Sequence, residues 1–134
     1  MLERSANPVP IPVELDLASN RVIGCAIEVH RHLGPGLLES VYERALIHEL
    51  HLQGVDAKQQ VAVSVRYKDI TIQGQRIDLL VEPGIILELK AVDVLLPIHE
   101  AQLLSYLKST GYRLGLLINF GATTLKRGIK RLVN

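Results

Sequence analysis

The sequence predicts an α/β domain: a central mixed sheet flanked by helices. Three observations predict it. Apolar residues recur at helical spacing through residues 16–32 and again through residues 37–53. The period then changes to two at Val61, Val63, Val65 and Tyr67, and two nearly continuous apolar runs follow. Beyond them, Pro97 opens another helical stretch, which gives way to one more apolar run.

Taken in order, residues 1–15 read as an extended arm, with Pro8, Pro10 and Pro12 and no periodicity, and residues 16–134 as a single domain. The first helix carries Leu17, Val22, Ile23, Ala26, Ile27 and Val29, and Gly34-Pro35-Gly36 stops it. The second carries Leu38, Val41, Tyr42, Ala45, Leu46 and Leu50, and Gly54 ends it. A half-buried strand over residues 61–67 turns at Lys68-Asp69. A second strand spans residues 71–81 and a third residues 84–92, both apolar enough to be buried on two faces. A helix over residues 97–109 ends at Gly111. A strand over residues 113–120 breaks at Gly121, and a short basic helix closes the chain.

Composition narrows the function. The chain has 134 residues, 48% apolar and 22% charged, which excludes a disordered protein. No apolar run reaches the roughly 20 residues of a membrane span. Met1-Leu2-Glu3-Arg4 is not followed by the apolar core of a secretory signal. The one cysteine, Cys25, sits among apolar neighbours as a small buried hydrophobe, which fits a reducing cytoplasm. A net charge of +1 gives no whole-molecule positive field, so a polyanion must be held by a local patch.

The informative stretch is Ile77-Asp78-Leu79-Leu80-Val81-Glu82-Pro83-Gly84-Ile85-Ile86-Leu87-Glu88-Leu89-Lys90. Two apolar runs flank a Glu-Pro-Gly turn, yet an aspartate, a glutamate and a lysine lie within them. Alternation puts Glu88 and Lys90 on one face. A turn centred on Pro83 sets Asp78 opposite Glu88, with Cβ atoms about 4.5–5.5 Å apart. Two carboxylates so placed in an apolar sheet repel. Either one takes up a proton or a cation lies between them. A hard dication is commonly held by one or two carboxylates together with phosphate and water. With Lys90 beside it, such a pair has the parts for metal-assisted phosphodiester hydrolysis. The ordinary alternative is a same-face ion pair at a sheet edge.

Two helices could complete the site. Glu39 and Tyr42 share a helix face, with Glu43 beside them, although an acid in a first turn also suits the helix dipole. His99, Gln102 and Tyr106 share a face of the later helix, where a polar boundary is the plainer reading. His99 reads as a surface residue.

These residues together resemble the GxxExxY proteins, named for the motif at Gly36, Glu39 and Tyr42 and assigned to the PD-(D/E)XK nuclease superfamily. The resemblance runs from about Asp16 onward. It takes in Asp78, Glu88-Leu89-Lys90, Gln102 with Tyr106, and Leu116-Leu117-Ile118-Asn119-Phe120-Gly121. It implies a restriction-endonuclease-like core of helix, three strands, helix and strand, here with one helix added in front. It implies that Asp78 and Glu88 bind Mg2+ or Mn2+, with the Leu89 carbonyl and Glu39 as further ligands, and that Lys90 assists attack. Gln102 and Tyr106 are similar to the arrangement of the exonuclease branch and, with Tyr42, would position a nucleic acid, DNA in preference to RNA. Ile77 stands where the superfamily pattern has proline. The competing classes are a nuclease-like module that binds nucleic acid or a protein without cutting, and a subunit of a larger assembly. For the latter, the first helix and the Pro-rich arm could meet a partner or a second copy.

Overall fold

The computed structural model describes residues 9–134. Three helices and five strands follow in the order α1 (Val13–Leu33), α2 (Glu39–Leu52), β1 (Ala57–Tyr67), β2 (Ile70–Val81), β3 (Ile85–Lys90), α3 (Pro97–Thr110), β4 (Leu114–Asn119) and β5 (Ile129–Val133). The strands lie side by side in chain order in one sheet. β3 and β4 are parallel and every other pair is antiparallel. The sheet is therefore mixed, and α3 is the crossover that its single parallel pair requires. No helix among the described residues is long and apolar enough to cross a membrane.

Two cores sandwich the sheet. On one face, Val22, Ala26, Tyr42, Leu46 and Leu50 of α1 and α2 pack on Leu79, Leu87, Leu89, Leu116 and Ile118. On the other, Leu103, Tyr106 and Leu107 of α3 pack on Val63, Ile77, Ile86 and Leu117. β3 and β4 lie between the two layers and are buried almost throughout, as their unbroken apolar sequences require.

Three expectations need correction. α1 begins at Val13, so the arm is shorter than residues 1–15. Pro12 precedes the first helical residue, and its carbonyl accepts from the N–H groups of Leu15 and Asp16. The part of the arm in residues 1–8 lies outside the described residues. β2 is not buried along its length. Residues 70–76 are exposed, because only Leu79, Leu80 and Val81 pair with β3. The rest of β2 pairs with β1 alone and forms a two-stranded ribbon that runs on past the sheet. The closing basic segment is not a helix. After a single 3-10 turn at Leu125–Gly128 it becomes β5, since the free side of β4 offers a row of backbone donors and acceptors that it can pair.

Candidate active site

Asp78 lies where backbone pairing fails on both sides of β2. Towards β1, Gln59 pairs with Leu79 and Val61 with Ile77, but the intervening Gln60 and Asp78 do not pair. Gln60 has φ of 51°, a left-handed conformation costly for a side chain with a Cβ. Towards β3 the ladder stops at Leu79 opposite Leu87. Leu79 belongs to the α1/α2 core and Ile77 to the α3 core, so the strand changes face at Asp78.

Side chains take over where the ladder stops. The Asp78 N–H donates to Glu88 Oε2 at 3.0 Å, and the Leu89 N–H donates to Asp78 Oδ2 at 2.8 Å. Each carboxylate thus holds the other's strand, which continues the register with Asp78 opposite Glu88. Glu88 is 2% exposed. Burial pushes its carboxyl up to about 8, and the neighbouring Asp78 charge adds to that rise. Lys90, two residues on and on the same face, opposes the rise only in part. The pair expected from the hairpin is therefore present, with its repulsion unrelieved and one member drawn towards its protonated form.

Lys90 is half-buried and donates to Gln102 Oε1 at 3.3 Å. Gln102 Nε2 donates to the Tyr106 hydroxyl at 3.1 Å. α3 presents both residues to the strand that carries Lys90, as their four-residue spacing allows. Burial raises the Tyr106 phenol above its usual range, and the Glu88 charge does so further. His99 does not join them. Its Nδ1 accepts from the Leu96 N–H at 3.0 Å and caps α3.

Tyr42 requires a correction. It was expected to position substrate, but it is fully buried and stacks on Phe120 with ring centroids 4.6 Å apart. Its hydroxyl donates to the Gly34 carbonyl and accepts from the Leu37 N–H. The Gly36-xx-Glu39-xx-Tyr42 pattern thus has a structural logic. Tyr42 ties down the loop between α1 and α2, and Gly36 supplies that loop with φ of 105°, open to glycine alone without strain.

Glu39 is exposed at the first residue of α2. Among the described residues, no three His, Cys, Asp or Glu side chains come close enough together to hold an ion, so Glu39 does not complete an acidic cluster here. Glu43, one turn further on, is half-buried and accepts from Gln59 Nε2 at 3.1 Å and Gln60 Nε2 at 3.0 Å. Burial raises its carboxyl, and the charges of Asp78 and Glu39 add to the effect. The sequence offered a signal for Glu43, its four-residue spacing from Glu39, and for Gln59-Gln60, a polar pair ahead of an alternating strand.

Asn119 is a further residue that motif reading left without a role. Only 2% exposed at the end of β4, it pairs in register with Lys90. Its Oδ1 accepts from the N–H groups of Val92 and Gly121, and its Nδ2 donates to the Val92 carbonyl. A Cβ on Gly121 would lie 2.3 Å from the Val92 oxygen. Close approach and amide clamp together fix the chain as it leaves Lys90.

A family model described as the PD-(D/E)XK nuclease superfamily matches residues 16–132. The chain belongs to that superfamily. The mixed sheet with helices on both faces is the fold that membership calls for. No curated protein and no solved structure matches alongside it.

Proposed function

We propose that the protein is a divalent-metal-dependent nuclease that hydrolyses phosphodiester bonds, in DNA in preference to RNA. The observation that carries this reading is the Asp78–Glu88 pair. A carboxyl 2% exposed and pushed up to about 8 is a costly feature in an apolar sheet, and a dication offsets that cost. Asp78 and Glu88 would hold the ion, with the Leu89 carbonyl as a further ligand suggested by family resemblance. Glu43 and Glu39 stand on the flanking helix to contribute through water. The donor set is all oxygen, which suits Mg2+ or Mn2+. Such an ion, when bound, lowers the pKa of water and polarises a phosphate.

The chain's own residues supply the rest. Glu88 would give up its proton if it became a ligand. Lys90, held by Gln102, is a fixed positive charge beside the pair, where negative charge develops on the phosphoryl oxygens. Tyr106 remains protonated and orients Gln102. The preference for DNA rests on the likeness of Gln102 and Tyr106 to the exonuclease branch. The free, buried Cys25 suits a reducing cytoplasm. One observation favours assembly as well: α1 leaves Val13 69% and Leu17 59% exposed, a face that a second copy could cover.

Calorimetric titration with Mn2+ and Mg2+ tests the site, on wild type and on Glu88→Ala, alone and with a non-cleavable oligonucleotide. It is paired with cleavage assays on single-stranded DNA, duplex DNA and RNA. Binding lost in Glu88→Ala and cleavage lost in Lys90→Ala are expected. Binding of oligonucleotide with neither metal uptake nor cleavage would leave a nuclease-like binding module.

A further inference from the structure

The polar line that begins at Lys90 does not end at Tyr106. Lys90 Nζ donates to Gln102 Oε1 at 3.3 Å, Gln102 Nε2 donates to Tyr106 Oη at 3.1 Å, and Tyr106 Oη donates to Gln75 Oε1 at 2.9 Å. The direction of this line is dictated by chemistry. An ammonium group only donates, so Gln102 must turn its oxygen towards Lys90. The Gln102 amide nitrogen then faces Tyr106, and it too only donates. The Tyr106 oxygen therefore accepts, and its own proton must leave on the other side. Gln75 Oε1 receives it.

Gln75 lies on β2 opposite Val63, beside the shift in register between Val63 and Val65. A bulge of this kind re-aims the side chains next to it. The residue is exposed, on the ribbon wall of a groove whose other wall is α3. The groove encloses about 410 Å³, and Val65, Ile98, His99, Ala101 and Ser105 line it besides Gln75, Gln102 and Tyr106. Burial of the ribbon cannot explain Gln75, and no motif in the sequence includes it.

We propose that Gln75 is a positioning residue, the terminal acceptor that takes the Tyr106 proton and so leaves the Tyr106 oxygen turned to hold the Gln102 amide in the orientation that Lys90 requires. Without an acceptor at position 75, the Tyr106 proton has no fixed partner, and the Tyr106 oxygen no longer holds Gln102 Nε2 in one direction. Gln102 keeps its oxygen towards the ammonium but loses the second anchor that holds it in place. Lys90, which donates to Gln102, is then less firmly held beside Glu88. The consequence for catalysis rests on the nuclease reading above; the polarity of the line does not.

The test compares Gln75→Met, similar in length but unable to accept strongly, with Gln75→Glu, which accepts and cannot donate. Side-chain amide resonances of Gln102 are followed by 1H–15N NMR in the metal-free protein, and kcat and KM are measured on an oligonucleotide with Mg2+. Gln75→Met is expected to move the Gln102 amide pair and lower kcat about tenfold, the loss of one oriented hydrogen bond, with KM little changed. Gln75→Glu is expected to restore both. Because the residue is exposed, melting temperatures should stay close to wild type. Gln102 resonances unmoved in Gln75→Met, or moved alike in both variants, overturn the proposal. If wild type cleaves no nucleic acid, the nuclease reading fails, while the amide resonances still decide the role of Gln75.

Discussion

Replacing Glu88 by Gln should stabilise the metal-free protein, increasingly so as pH rises. Glu88 ionises near 4.5 in a free chain and is pushed up to about 8 in the fold, by burial first and the Asp78 charge second. Between those values the unfolded chain has released a proton that the folded chain still holds. Folding therefore takes up a proton, and stability falls as pH rises through this window. The full effect is about 1.4 kcal/mol per pH unit, or on the order of 4–5 kcal/mol across the window. Glutamine does not titrate, and its NH2 can donate to Asp78 as the protonated acid does. For a domain of this size about 1 kcal/mol corresponds to roughly 3–4 °C, so the melting temperature of Glu88→Gln should exceed wild type by about 15 °C above pH 8 at full value. The relevant readout is the slope with pH. Thermal melts of the EDTA-treated pair from pH 4.5 to 9 measure it, and the raised Glu43 carboxyl is present in both proteins as a common background. An offset that does not change with pH would refute the argument that Glu88 is held protonated by the fold. Mn2+ added at pH 8 should then raise the melting temperature of wild type well above its effect on Glu88→Gln.

Three further outcomes follow from the packing. Tyr42→Phe should cost about 1–3 kcal/mol, because the Leu37 N–H and Gly34 carbonyl lose their partner, and it should leave KM for an oligonucleotide unchanged; denaturant unfolding with steady-state kinetics checks both. Asn119→Ala strands the polar groups of Val92 and Gly121 and should cost about 2–4 kcal/mol, with faster amide exchange at Val92. Gly121→Ala forces a Cβ against the Val92 backbone and should destabilise by about 2 kcal/mol or more while also lowering kcat, since the displaced chain leads directly from Lys90.

The sequence by itself determined the elements as far as β4 and pointed to the charged pair. Its change from helical to strand period places α2, β1 and α3 within a few residues of their ends. Glu-Pro-Gly, with apolar residues on either side, suggests a turn centred on Pro83, and the structure has the register that follows from it, with Leu79 opposite Leu87. These are local facts, fixed by side-chain periodicity and turn chemistry. The tertiary structure decided whatever depended on a neighbour distant in sequence. Leu125–Gly128 with the residues after it looked like a basic helix, and it became a turn and strand because β4 had an unpaired side to offer. Tyr42 shares a helix face with Glu39, and no spacing could tell that its hydroxyl belongs to the Gly34 loop and its ring to Phe120. Glu43 lies near Asp78 because α2 packs against the interrupted strand at Gln60. Gln75, alone on an exposed ribbon, gains a role only because α3 brings Tyr106 across the sheet to meet it.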